Sequence, residues 1–111
     1  MGFDTTVITD NMPAFVMRNE KVDVFTCAAD CITIDGYVVN KVGTSQIALC
    51  AKHFGVPMYV SGTPDINHPT IDTVKIEMRN PSDSIYALGI KTTIEGVKGY
   101  YPAFDITEPK F

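Results

Sequence analysis

Tryptophan is absent from the chain, and histidine occurs only at His53 and His68. Neither the two histidines nor the cysteines fall at a zinc-ligand spacing, so no metal site is read from the sequence. The three cysteines, Cys27, Cys31 and Cys50, are odd in number and follow no secretory leader, which points to a reducing compartment. The N-terminus has no basic n-region and no apolar h-region, and the apolar runs are too short to span a bilayer. A cytoplasmic location with no membrane partner is therefore expected. Basic charge is also scarce. Nine Lys and Arg against thirteen Asp and Glu give a net charge of −4. The basic residues are scattered rather than set in a stripe, so nucleic acid is not an expected partner. There is no Gly-x-Gly-x-x-Gly and no Walker-type spacing, and no cofactor is expected.

What is present suits a globular domain. The chain has 111 residues, 45% of them hydrophobic and 20% charged. One domain of this length buries roughly 65% of its unfolded surface, enough for a core without staples. Thr6–Thr9 reads as a short strand. Asp10 or Asn11 is placed to cap a following helix, with Pro13 in its first turn and Met12, Phe15 and Val16 on one face. Val22–Ala29 is nearly continuous in apolar residues, the mark of a strand covered on both faces. Ile32–Ile34 and Tyr37–Val39 flank Asp35-Gly36, a two-residue hairpin turn. A second helix carries Ile47, Cys50, Ala51 and Phe54 at i, i+3, i+4 and i+7 and ends at Gly55. Val56–Ser61 is another strand. This order predicts a doubly wound α/β fold with right-handed crossovers. Beyond Gly62 the pattern predicts a loop over Pro64–Thr70, a strand through Val74, Ile76 and Met78, a turn or short helix at Asn80–Asp83, and a packed irregular tail over Tyr100–Pro109.

In such sheets ligands bind beyond the C-terminal strand ends. Thr9-Asp10-Asn11, Asp30-Cys31 and Gly62-Thr63-Pro64 are expected to converge there. Asp30 leaves the most apolar strand. A desolvated carboxyl holds its proton more tightly, as a general acid requires, whereas a turn-capping aspartate has the same sequence signature. Asn40-Lys41-Val42-Gly43-Thr44 sits at a helix N-terminus, where free N–H groups, the helix dipole and a lysine favour an anion. Asn40 as an N-cap and Lys41 as a solvated side chain account for it equally well. Cys27 and Cys50 read as small core residues, and Cys31 is placed to reach the pocket.

Several motifs together resemble a known family. Thr9-Asp10-Asn11-Met12 resembles the Thr-Asp-Asn/Ser-Met/Ala of methylthioribose-1-phosphate isomerases, and Ala28-Ala29-Asp30-Cys31-Ile32 resembles their Gly-Ala-Asp-Arg-Ile. Gly36 through Thr44 is similar to Gly-Asp-Val-Ala-Asn-Lys-Ile-Gly-Thr. Leu49 through Val60 resembles Leu-Ala-Lys-His-His-Gly-Ile-Pro-Phe-Tyr-Val, and Pro102 through Thr107 resembles Pro-Ala-Phe-Asp-Val-Thr. These motifs run in order along nearly the whole chain, as in the superfamily of these isomerases and the alpha, beta and delta subunits of initiation factor 2B. Cys31 and Ala28 depart from the pattern, standing where the family has arginine and glycine.

The resemblance implies a Rossmann-like three-layer domain with a mainly parallel sheet and helices on both faces. It implies that residues 1–111 are a single C-terminal domain of a larger isomerase-type protein. The family's N-terminal half, with its reactive cysteine, arginine-containing phosphate site and substrate-contacting glutamine, has no counterpart in this sequence. The implied partners are that half, a phosphorylated pentose and a second copy in a homodimer. The implied reaction is aldose-to-ketose isomerisation of S-methyl-5-thioribose 1-phosphate, as in methionine salvage. The family's catalytic aspartate falls on Asp30, and its substrate-contacting pair on Asn40 and Lys41. The alternatives are a ribose-1,5-bisphosphate or deoxyribose-phosphate isomerase, or a regulatory and assembly subunit like those of initiation factor 2B, so enzyme activity is left open at this point.

Overall fold

Pro13 begins helix α1 (Pro13–Asn19) within its first turn, where its missing N–H removes no intrahelical bond. The computed structural model of the protein describes residues 2–111 and places Met12, not Asp10 or Asn11, at the N-cap. The cause is local. The Thr9 hydroxyl donates to Asn11 Oδ1 and the Met12 amide donates to the Thr9 carbonyl, so a turn engages these polar groups before the helix starts. Thr6–Thr9 forms no strand, because it finds no β partner.

The next elements are β1 (Phe25–Ala28), β2 (Cys31–Ile32), β3 (Val38–Lys41), α2 (Thr44–His53) and β4 (Met58–Ser61). β5 (Tyr86–Ala87), β6 (Ile90–Lys91) and β7 (Phe104–Thr107) complete the chain. β1 and β4 pair in parallel, Phe25 opposite Met58 through Ala28 opposite Ser61. Among the described residues this is the one parallel pair, so the expected mainly parallel three-layer sheet is corrected to a mixed α/β domain with divided sheets. β2, β3 and β7 form an antiparallel sheet in that order, and β5 and β6 form a separate hairpin. Each parallel neighbour needs a long crossover, and the stretch through α2 supplies only one. β1 alternates between half-buried and exposed residues instead of being covered on both faces.

Two local readings change for identifiable reasons. The hairpin turn has three residues, Ile34, Asp35 and Gly36, because the Thr33 amide donates to the Tyr37 carbonyl at 2.9 Å. The tail is not irregular, since β7 lies within it and pairs Asn40 with Asp105 and Val38 with Thr107. Pro102 and Pro109 lie outside β7, where they cost no ladder bond. The strand expected through Val74, Ile76 and Met78 is absent. Only Met78 bridges, to Pro102. Asn80 does open a short 3-10 turn, accepting from the Ser82 amide at 3.1 Å.

The core gathers where α2 meets β7. Val39, Ala48, Ala51, Val56 and Ala103 are its buried apolar residues, and Thr33 is the largest fully buried side chain. α1 leans on α2, and the Arg18 guanidinium lies 5.6 Å from the Phe54 ring centroid. The set is small. The Cα radius of gyration is 16.5 Å, against roughly 13 Å for an independent domain of this length. Phe15, Val24 and Tyr59 remain exposed. The expected self-sufficient core is therefore not what these residues form. Among the described residues, no helix is long and apolar enough to cross a membrane.

α2 ends in a Schellman motif. The Val56 amide donates to the Ala51 carbonyl at 2.8 Å and the Gly55 amide to that of Lys52 at 3.3 Å. Gly55 has φ +71°, a left-handed conformation that costs a side-chain-bearing residue about 1–2 kcal/mol. Gly55→Ala is expected to lower the unfolding free energy by about 1 kcal/mol at constant m-value in urea. An unchanged midpoint would show that the α2 terminus tolerates the strain.

Candidate functional site

The C-terminal edge of β3 turns through Val42 and Gly43 into α2, and this junction organises the polar groups. Gly43 is the N-cap at φ +107°, so glycine is required there by the backbone itself. The Gly43 amide donates to Asp105 Oδ2 at 2.8 Å, and the Ser45 amide donates to both Asp105 oxygens at 3.2 Å. The helix end expected to hold an external anion is therefore capped by a carboxylate of the chain itself. The Thr44 hydroxyl donates to the Lys41 carbonyl at 2.8 Å, and Asn40 Nδ2 donates to Thr44 Oγ1 at 3.1 Å. Asn40 is thus not an N-cap. Its amide nitrogen braces the loop, and its Oδ1 is left for another donor.

A cavity of about 370 Å³ opens beside this junction. It is lined by Asp10 and Asn11, by Lys41 through Thr44, and by Gln46 and Ile47 of α2. Of the three residues singled out from the sequence, only Lys41 lines it. Successive residues of a strand point to opposite faces, which separates Lys41 from Asn40. Lys41 Nζ lies 5.4 Å from the Phe104 ring centroid, the residue opposite it in the ladder. Asp10 and Lys41 share the cavity wall, so its formal charges cancel.

Asp30 lies outside the cavity. Its amide donates to the Val39 carbonyl at 2.9 Å, which sets its backbone beside the Val39–Asn40 peptide. The side chain is exposed, so the desolvation expected of a strand-end acid is not present in these residues. Cys31, on the next position, is half-buried and forms a third group with Asp65 and His68. Burial first, and then the Asp65 carboxylate, push its thiol above the ordinary cysteine range, which disfavours a resting thiolate nucleophile. Of the three expected segments, Gly62 lies against Ile32 and Asp10 lines the cavity together with Lys41, whereas neither Asp30 nor Gly62 is among that cavity's lining residues.

Sequence reasoning missed Asp105 as a structural partner of the loop. The signal was a polar residue between Phe104 and Ile106 in an alternating stretch, masked by the flanking prolines. Gln46 was missed too, because a lone glutamine on a helix carries no pattern.

The model of the Initiation factor 2 subunit family matches residues 1–111, and the chain belongs to that family. The 5-deoxyribose 1-phosphate isomerase of Petrotoga mobilis is 39% identical over 99% of this chain and 33% of its own length. The protein of the same name from Clostridium botulinum strain Hall is 44% identical over 96% of this chain and 31% of its own length. The structure is similar to that of 5-methylthioribose 1-phosphate isomerase from Pyrococcus horikoshii, with TM-score 0.87 and 32% identity over 98% of this chain and 31% of that one. It is also similar to the translation initiation factor eIF-2B subunit delta from A. fulgidus, with TM-score 0.85 and 38% identity over 96% of this chain and 32% of that one. The chain spans about a third of the length of the curated relatives it matches.

Removing the Asp105 cap tests the organisation of the junction. Asp105→Ala is expected to cost about 1–2 kcal/mol, because two helix-end amides lose a charged acceptor. Asp105→Asn, which keeps an acceptor oxygen, is expected to cost less. Equal stability of Asp105→Ala and the unmodified chain in urea would exclude the clasp as a determinant of this loop.

Proposed function

We propose that this chain forms the C-terminal third of an aldose-ketose isomerase acting on 5-deoxyribose 1-phosphate. The observation that carries this reading is its 39% and 44% identity to two isomerases of that name over almost the whole chain. The methylthioribose 1-phosphate reading has the weaker support of 32% identity to the Pyrococcus protein. A phosphate on O1 prevents spontaneous ring opening, so the reaction needs a proton delivered to the ring oxygen. Asp30 is the proposed acid. Asn40, through its free Oδ1, and Lys41 are the proposed substrate contacts. The exposed Asp30 becomes a competent acid only where another part of the protein covers it and raises its proton affinity. The exposed Phe15, Val24 and Tyr59 are the proposed contacts of that covering part and of a second copy.

The likeness to the eIF-2B delta subunit favours a second reading, an assembly or regulatory subunit. Grafting residues 1–111 onto the remaining two thirds of the Petrotoga relative separates the two. Isomerisation of 5-deoxyribose 1-phosphate is expected from the graft, with kcat/KM about tenfold above that for methylthioribose 1-phosphate. Asp30→Asn in the graft is expected to lower kcat by a factor of about 10²–10⁴. A stable graft without turnover would favour the subunit reading, and near-full turnover of Asp30→Asn would remove the acid from Asp30. The purified chain by itself is expected to be inactive, and measurable turnover by it would contradict the need for cover.

A further inference from the structure

Cys31, Asp65 and His68 are scattered along the sequence but converge in the fold. One sulfur, one carboxylate oxygen and one ring nitrogen lie within 4.8 Å of one another, and all three residues are half-buried. We propose that they form a binding site for a single divalent cation of the zinc class, with the fourth tetrahedral position open to water.

The backbone holds the three ligands in place. Asp65 and His68 sit on the loop after β4, and that loop is tied to the strand carrying Cys31. The Asp65 amide donates to the Ile32 carbonyl at 2.8 Å, and the Ile34 amide donates to the His68 carbonyl at 3.1 Å. The His68 amide donates to the Asp65 carbonyl at 3.0 Å, closing a turn that keeps both side chains on one side.

The lone pairs are set as well. The Thr73 hydroxyl has one proton and gives it to the Thr70 carbonyl at 2.6 Å. Towards His68 Nδ1, 3.0 Å away, the hydroxyl therefore accepts. In that arrangement Nδ1 carries the ring proton, and Nε2 keeps the lone pair a metal needs. This is the way metal-binding imidazoles are oriented by an outer partner. Asp65 Oδ1 accepts from the Asn67 amide at 2.9 Å, which leaves Oδ2 for the ion.

The donor set selects the metal. Sulfur and imidazole suit zinc and its neighbours and are poor ligands for magnesium or calcium. Bonds of roughly 2.0–2.3 Å place tetrahedral ligands about 3.3–3.8 Å apart. The observed spacing closes to that by side-chain movements of about an ångström. The bound ion would clip the loop after β4 to the β2–β3 hairpin.

Titration of the purified chain with Zn²⁺ by calorimetry, and with Co²⁺ by absorption, tests the site. One equivalent is expected, with a thiolate-to-cobalt charge-transfer band. Cys31→Ser is expected to abolish the band and weaken Zn²⁺ binding at least about a hundredfold, and His68→Gln to weaken it comparably. Thr73→Val is expected to weaken it about tenfold through His68, while Cys27→Ser and Cys50→Ser leave it unchanged. In the unsubstituted chain, Zn²⁺ is expected to shield Cys31, and not Cys50, from alkylation mapped by mass spectrometry, a readout that does not depend on a variant folding. Non-saturable uptake, binding that survives Cys31→Ser together with His68→Gln, or no protection of Cys31 would show an adventitious ion only and overturn the site.

Discussion

The clasp between the Asp105 carboxylate and the amides of Gly43 and Ser45 is the interaction on which the local architecture depends. It joins the last strand to the first turn of α2 across some sixty residues of chain. Because Asp105 lies opposite Asn40 in the β3–β7 ladder, the clasp also sets where β3 ends and the loop begins. Ala48 and Ala51 of α2 can then bury against the sheet at close range, where small side chains fit. A helix end left open at this place would carry unsatisfied N–H groups beside a half-buried strand.

Much of this was readable from residue order and some was not, for physical reasons. Pro13, the α2 periodicity, Gly55 and the Asn80 turn are encoded within a few residues, and each appears where local chemistry places it. Strand identity is a property of pairs. Thr6–Thr9 has strand-forming residues but no neighbour to bond. Phe104–Thr107 has a neighbour, and its flanking prolines concealed it. The continuous apolar run ending at Ala29 predicts a strand covered on both faces, whereas β1 alternates between half-buried and exposed residues. At the candidate site, the sequence pointed to Asn40–Thr44, of which Lys41 through Thr44 line the cavity, and to Asp30, which lies outside it. It could not show that a resident carboxylate already occupies the helix end, since nothing local links Asp105 to Gly43. The grouping of Cys31 with Asp65 and His68 was invisible for the same reason.

Family membership and the surface of the chain are consistent with each other. Residues that correspond to about a third of each curated relative leave apolar side chains on α1, just before β1 and on β4 in contact with solvent. Asp30, at the end of one of these partly covered strands, shares their situation.

Capping by Asp105 has an electrostatic consequence. With the helix dipole already answered, Lys41 is, among the described residues, the sole basic side chain on the cavity wall, and Asp10 stands on the same wall. An ammonium on a flexible stem attracts an anion as a point charge, without the fixed fork that gives arginine its directionality. At an open site such attraction fades over a screening length of about 8 Å at physiological ionic strength. Any attraction that Lys41 exerts at this rim therefore weakens as the salt content of the medium rises.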